Sequence, residues 1–224
     1  TISHIENLND VFKSINILLK DDGVLILEDP SLLECLKRNT YDQFYNEHIY
    51  VFSYLSLKTI LKKNNLKIFK IENLDIHGGT NRYYIKKNIN PRKVEKSVLF
   101  HEKRELAHGL NKLSTYKKFA KKAKISKNKL VKIFKKLKKQ GKKVIGYGAT
   151  AKSVTILNYC KINSEYIDYF LDTTPAKKNM YMPGTKIFIK KYHKKIPDSV
   201  DFAFLGAWNF KNEILYKEKK FLKK

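Results

Sequence analysis

The sequence predicts a mixed α/β chain in three parts: an α/β piece over residues 1–90, a basic helical connector over 91–141 and a second α/β domain over 142–224. Three observations carry this. A short, nearly continuous apolar run at 23–28 sits between stretches of helical period, the pattern of a strand buried in a sheet. A second strand-like run at 143–147 leads straight into a Gly-x-Gly-x-x-Ala turn. Between them, apolar residues recur every three or four positions among many lysines.

Taken in order, Leu8, Val11, Phe12, Ile15, Leu18 and Leu19 fall on one face of a helix over residues 7–20. Asp21-Asp22-Gly23 stops it. Gly23-Val24-Leu25-Ile26-Leu27-Glu28 is expected to be a parallel strand covered on both faces, ended by Asp29-Pro30. Residues 41–50 read as a loop that places Asp42, Tyr45, Glu47 and His48 among aromatics. Such a loop between regular elements is where an α/β enzyme keeps its proton carriers, and His48 is its natural base. A surface hydrogen bond between neighbouring Glu and His side chains accounts for the same spacing. Ser53 or Ser56 caps the next helix, which bears Leu57, Ile60 and Leu61 and ends at Asn64-Asn65. Residues 66–74 and 82–87 then form an antiparallel pair, turned by His77-Gly78-Gly79. A helix, a strand, a helix and this pair together look like the second half of a doubly wound domain.

From residue 91 to about 140 the pattern is helical. Leu106, Leu110, Leu113, Tyr116, Phe119 and Ala123 form a stripe that Leu130, Val131, Phe134 and Leu137 continue, with lysines on the other face. After it, Val144-Ile145-Gly146-Tyr147-Gly148-Ala149-Thr150-Ala151 reads as strand and glycine turn, with a helix over 152–160. A strand over 166–171 ends at Asp172, about where a dinucleotide fold places its ribose-binding acid. Strands over 186–189 and 200–205 and a helix over 209–220 complete a Rossmann-like unit. The same glycine turn also serves other nucleotides or plain packing.

Lys and Arg total 47 against 21 Asp and Glu, a net charge of +26. The excess is almost all Lys, which suits solvated faces better than bidentate reading of bases or phosphates. No specific nucleic-acid partner is expected. No apolar run approaches the ~20 residues of a membrane-spanning helix, so no membrane partner is expected and cytoplasmic placement is. Cys35 and Cys160 stand far apart without zinc-site spacing and read as reduced and structural. No feature sets an oligomeric state.

Several separated motifs agree with one family. Tyr45-Asn46-Glu47-His48 with the aromatic stretch Tyr50-Val51-Phe52-Ser53-Tyr54 resembles the Y-x-E-H loop of S-adenosylmethionine-dependent sugar C-methyltransferases, which act on nucleotide-linked keto-deoxysugars. His77-Gly78-Gly79-Thr80-Asn81-Arg82 resembles their HGG segment, and Gly146 to Lys152 is similar to the first turn of their carboxyl-terminal domain. Asp172-Thr173-Thr174-Pro175, Met182-Pro183-Gly184-Thr185 and Trp208-Asn209-Phe210 follow in the family's order.

The resemblance implies the second half of a class I methyltransferase doubly wound sheet over 1–90, then the connector, then a Rossmann-like nucleotide-sugar-binding domain. It implies S-adenosylmethionine as methyl donor, with the glycine-rich loop that binds it missing from this chain, and zinc only in an amino-terminal region that is also missing. The chain is accordingly expected to begin after the fourth strand of the central domain. By the same resemblance His48 is the base, with Tyr45, Glu47 and His4 beside it. Gly146, Gly148 and Lys152 help to hold the nucleotide sugar, and His77 and Arg82 either contact substrate or shape the hairpin. The expected reaction is loss of a proton beside the sugar ketone, then attack of that carbon on the donor methyl group. A non-catalytic nucleotide-binding or partner module, and an NAD-dependent oxidoreductase resting on the glycine turn and Asp172, are the alternatives.

Overall fold

The computed structural model describes residues 2–223 and divides into two compact units, Thr1–Lys122 and Ala123–Lys224. In the first unit, helix α1 (Leu8–Leu18) starts at Asn7, whose side chain accepts the amide of Asp10. Leu8 and Phe12 bury its inner face. The helix ends short of residue 20 because Leu19 turns to extended backbone.

Strand β1 (Leu25–Pro30) differs from expectation. It pairs antiparallel with β3 (Thr80–Lys87), and Ile26 is 57% exposed, so the apolar run is not covered on both faces. Leu25 and Leu27 pack on the core while Ile26 faces away, as the strand period requires. β3 also pairs antiparallel with β2 (Leu66–Leu74), which gives the order β1-β3-β2. The two outer strands therefore run the same way with a reversed strand between them.

Between β1 and the loop lies helix α2 (Leu32–Arg38), which the periodicity did not reveal. Ser31 caps it, and it closes on Asn39 in the left-handed region at φ 56°. Helix α3 (Tyr54–Lys63) uses both candidate serines. Ser53 caps the helix, and Ser56 reaches back to the amide of Ser53. Asn64 and Asn65 end it, Asn65 at φ 55°.

The expected helical connector is broken at Gly109, φ 70°, into α4 (Lys96–Ala107) and α5 (Leu113–Lys139). Leu110 turns inward there and packs with Leu33 and Leu36. The boundary between the two units falls within α5. The core of the first unit gathers Phe12, Leu57, Leu61, Leu66, Tyr83 and Ile85.

The second unit is a parallel sheet of order β6-β5-β4-β7, made of β4 (Val144–Tyr147), β5 (Tyr169–Asp172), β6 (Phe188–Lys191) and β7 (Phe202–Leu205). Helices α6 (Ala151–Cys160) and α7 (Lys211–Lys217) flank it. Alternate strand residues serve two cores. Val144 and Phe170 pack with Leu157 and with Phe134 of α5, while Ile145 and Leu171 pack with Tyr192 and Val200. Burial on both faces is why the central strand β4 reads as a continuous apolar run.

One buried carboxylate fixes the start of α3. Glu105 of α4, 1% exposed, accepts the amides of Tyr54 at 2.7 Å and Leu55 at 3.0 Å. These are orphan donors of the first helical turn. Glu105→Ala leaves both buried amides without an acceptor and is expected to destabilise the protein by ~2–4 kcal/mol in urea unfolding, with Glu105→Gln losing less.

Candidate active site

The loop after α2 turns through a 3-10 segment, Tyr41–Gln43, and brings three of the expected residues together. Nδ1 of His48 lies 2.8 Å from the backbone oxygen of Gln43, and Nε2 lies 2.7 Å from the hydroxyl of Tyr45. A carbonyl only accepts, so Nδ1 must carry the proton and donate it to Gln43. Nε2 of the neutral ring is then the lone pair that accepts from Tyr45. The rings of Tyr45 and His48 stand 3.9 Å apart, and His4 meets His48 edge-on at 5.1 Å between centroids. Burial, together with the charges of Glu47 and Asp29, pushes the Tyr45 hydroxyl above its ordinary pKa. It therefore stays a donor at neutral pH. Glu47 is exposed, and its charge bears on Tyr45.

Gln43, fully buried, links this loop to the β2–β3 turn, because its Nε2 donates to the backbone oxygen of His77 at 2.8 Å. The turn is possible because His77, Gly78 and Gly79 all have positive φ, at 52°, 90° and 109°. A Cβ at Gly79 would come within 2.7 Å of Cβ of Glu34, so glycine lets the turn approach α2. The imidazole of His77 itself is exposed.

Arg82 is not brought to this cluster. It bonds Glu28 across β1 at 2.8–2.9 Å and faces Glu72 of β2 at 3.8 Å, a cross-strand ionic ladder on the face opposite Asn81 and Tyr83. Of the two readings open for Arg82, this geometry favours shaping the hairpin. Sequence reasoning missed Asp29 at the end of β1. It is 2% exposed, and its charge bears on both His48 and Tyr45. An acid immediately before Pro30 at the close of an apolar strand was the available signal.

In the second unit the glycine turn after β4 is closed by protein groups. Gly148 donates its amide to Leu171, Ala149 donates to Asp172 Oδ2 at 2.8 Å, and Thr150 is held by Ser153 in a capping box. Asp172 also accepts from Thr174 at 2.8 Å and faces Lys177 at 3.5 Å. Although burial alone would raise it, the Thr174 and Ala149 hydrogen bonds and the Lys177 charge hold its carboxyl below the usual range. A carboxylate so engaged holds the turn rather than waiting for a ribose.

Both glycines answer to packing. A Cβ at Gly146 would lie 2.2 Å from the Phe170 ring, and one at Gly148 would lie 2.5 Å from Cβ of Ala207. Lys152 sits over the indole of Trp208, 5.0 Å from the ring centroid. Beside the turn lies a cavity of about 340 Å³ that Gly148, Thr150, Thr174, Lys177, Phe210 and Lys217 help to line. It opens beyond the carboxyl ends of β4 and β5, where α/β sheets take their ligands.

Among the described residues no three His, Cys, Asp or Glu side chains are grouped to hold a metal ion. No described helix is long and apolar enough to cross a membrane.

Comparison with known proteins finds two families along the chain, meeting at the end of β2, before β3, within the first unit. The methyltransferase domain family matches residues 1–71 and the C-methyltransferase C-terminal domain family matches residues 75–224. C-methyltransferase NovU of Streptomyces niveus is 29% identical over 220 residues, covering 98% of this chain and 52% of that protein. The chain thus spans about half the length of that relative. Matched over more than half of its residues, the chain belongs to the C-methyltransferase C-terminal domain family, with a stretch of methyltransferase domain preceding that domain.

Proposed function

We propose that this chain is part of an S-adenosylmethionine-dependent enzyme that methylates the carbon beside the ketone of a nucleotide-linked keto-deoxysugar. The observation that carries the proposal is the His48 ring, held in one tautomer by Gln43 with its basic nitrogen on the Tyr45 hydroxyl. A ketone oxygen that draws the Tyr45 hydrogen bond to itself frees Nε2 to take the proton from the neighbouring carbon. The C–H electron pair passes into the enolate, and Tyr45, kept protonated, donates to the enolate oxygen. S-adenosylmethionine supplies the electrophilic methyl group on sulfonium. His4, edge-on to His48, lends a second polar edge to the same loop.

The cavity of the second unit is proposed to take the nucleotide diphosphate. Phe210 offers an aromatic wall, Lys177 and Lys217 lie at its edge, and Gly148 with Thr150 forms its floor. Gly146 and Lys152 support that floor through Phe170 and Trp208.

In the full gene product, His48→Ala should abolish solvent deuterium exchange at the carbon beside the ketone and slow methyl transfer by at least ~10²-fold. Exchange at the normal rate in that variant would remove His48 as base. Tyr45→Phe should lower kcat by ~10²-fold with a smaller change in KM, since the lost hydrogen bond strengthens only as the enolate forms. A thymidine diphosphate sugar should raise the unfolding temperature more than NADH does, and Lys217→Ala should reduce that protection. Stronger protection by NADH would favour the oxidoreductase alternative.

A further inference from the structure

Asp29 lies next to the end of β1, directly across the ladder from Asn81. It is 2% exposed, and among the described residues neither carboxylate oxygen has a hydrogen-bond partner. Ser3 leans towards it without a bond of good geometry. Asn81 cannot serve it, because the Asn81 amide donates to Tyr83 at 3.0 Å and to Ser31 at 3.4 Å. A buried carboxylate without donors destabilises a fold, so a chain that keeps one has another use for it.

The other buried side-chain oxygens without partners are Asn39 Oδ1, Thr40 Oγ1 and Gln43 Oε1. All belong to the segment that leads from β1 into the His48 loop, and none belongs to the second unit. Every one can accept a hydrogen bond, so the missing complement is a donor. Gln43 binds His48 through its carbonyl and His77 through its Nε2, which ties this set of acceptors to the loop. Burial raises the Asp29 carboxyl, and the neighbouring Ser3 opposes this most.

We infer that Asp29 is a binding residue of this loop, where its carboxylate accepts a hydrogen bond from a hydroxyl or amino substituent of the ligand. Asp29 selects the sugar in this way only if the loop binds the substrate proposed above. Specificity of this kind is strong, because a ligand lacking the donor leaves the buried acceptor unpaired.

Asp29→Asn keeps the shape and removes the charge. In the full gene product, the ligand-free variant should unfold at the wild-type temperature or higher. Its affinity for a thymidine diphosphate-linked keto-deoxysugar should fall about tenfold or more, while its affinity for thymidine diphosphate alone stays unchanged, as read by calorimetric titration. A fall of about 5 °C or more in the ligand-free unfolding temperature shows a structural carboxylate and overturns the inference. So does unchanged affinity for the sugar-linked ligand. A wild-type protein that binds neither ligand sinks the substrate proposed above instead. The unfolding temperature of Asp29→Asn then decides alone, with stabilisation supporting a ligand acceptor and loss overturning it.

Discussion

The hydrogen bond from His48 Nδ1 to the backbone oxygen of Gln43 is the constraint on which the site depends. It decides which ring nitrogen carries the proton and so leaves Nε2 as the basic one. That bond requires Gln43 to be held, and the holder is the carbonyl of His77. The His77 carbonyl in turn points there because three consecutive positive φ angles carry the turn close against Glu34 of α2. Two motifs that lie thirty residues apart in sequence thus form one physical device. The glycines of the turn position the carbonyl, and the carbonyl positions the loop that carries the base.

The second unit shows the opposite use of a similar pattern. Its glycine turn has the spacing of a dinucleotide site, and Leu171, Asp172 and Ser153 accept the amides of Gly148, Ala149 and Thr150. The glycines survive as packing necessities against Phe170 and Ala207. The lysine excess likewise finds local employment. Lys127, Lys138, Lys190 and Lys217 each hold the ammonium over a tyrosine face, 4.0–5.0 Å from the ring centroid.

Much of this was legible in the sequence wherever a local rule and the tertiary environment agree. Ser53, Ser56, Asn64 and Asn65 mark the ends of α3 as capping chemistry dictates, and the central strand β4 is a continuous apolar run because both its faces are covered. β1 misled because a run of Val, Leu and Ile does not tell a strand's direction or which face is covered, and both depend on the partner strand. α2 was overlooked although Ser31 followed three residues later by Glu34 is a start signal, since seven residues are too few for periodicity to speak. His48 stood out by residue type alone. The roles of Gln43 and Asp29 did not, because one acts through its backbone and the other through burial, and neither property is written in the residue letter.

Buried carboxylates elsewhere in the chain show what a structural acid looks like here. Glu105 accepts two amides at the start of α3, and Asp172 accepts two amides and faces a lysine. Glu218, 4% exposed, accepts the hydroxyls of Tyr147 and Tyr192 and the amide of Ile196. Each is matched by donors from elements it helps to hold, and burial of the two tyrosines against Glu218 pushes Tyr147 up to about 12. Asp29 is as deeply buried as these and has no such set of donors among the described residues. A chain able to satisfy three interior carboxylates by packing and hydrogen bonding had the means to satisfy a fourth or to replace it with an apolar residue. That it leaves this one open, within electrostatic reach of His48, places the local conflict where proton chemistry is proposed and not in the core of either unit.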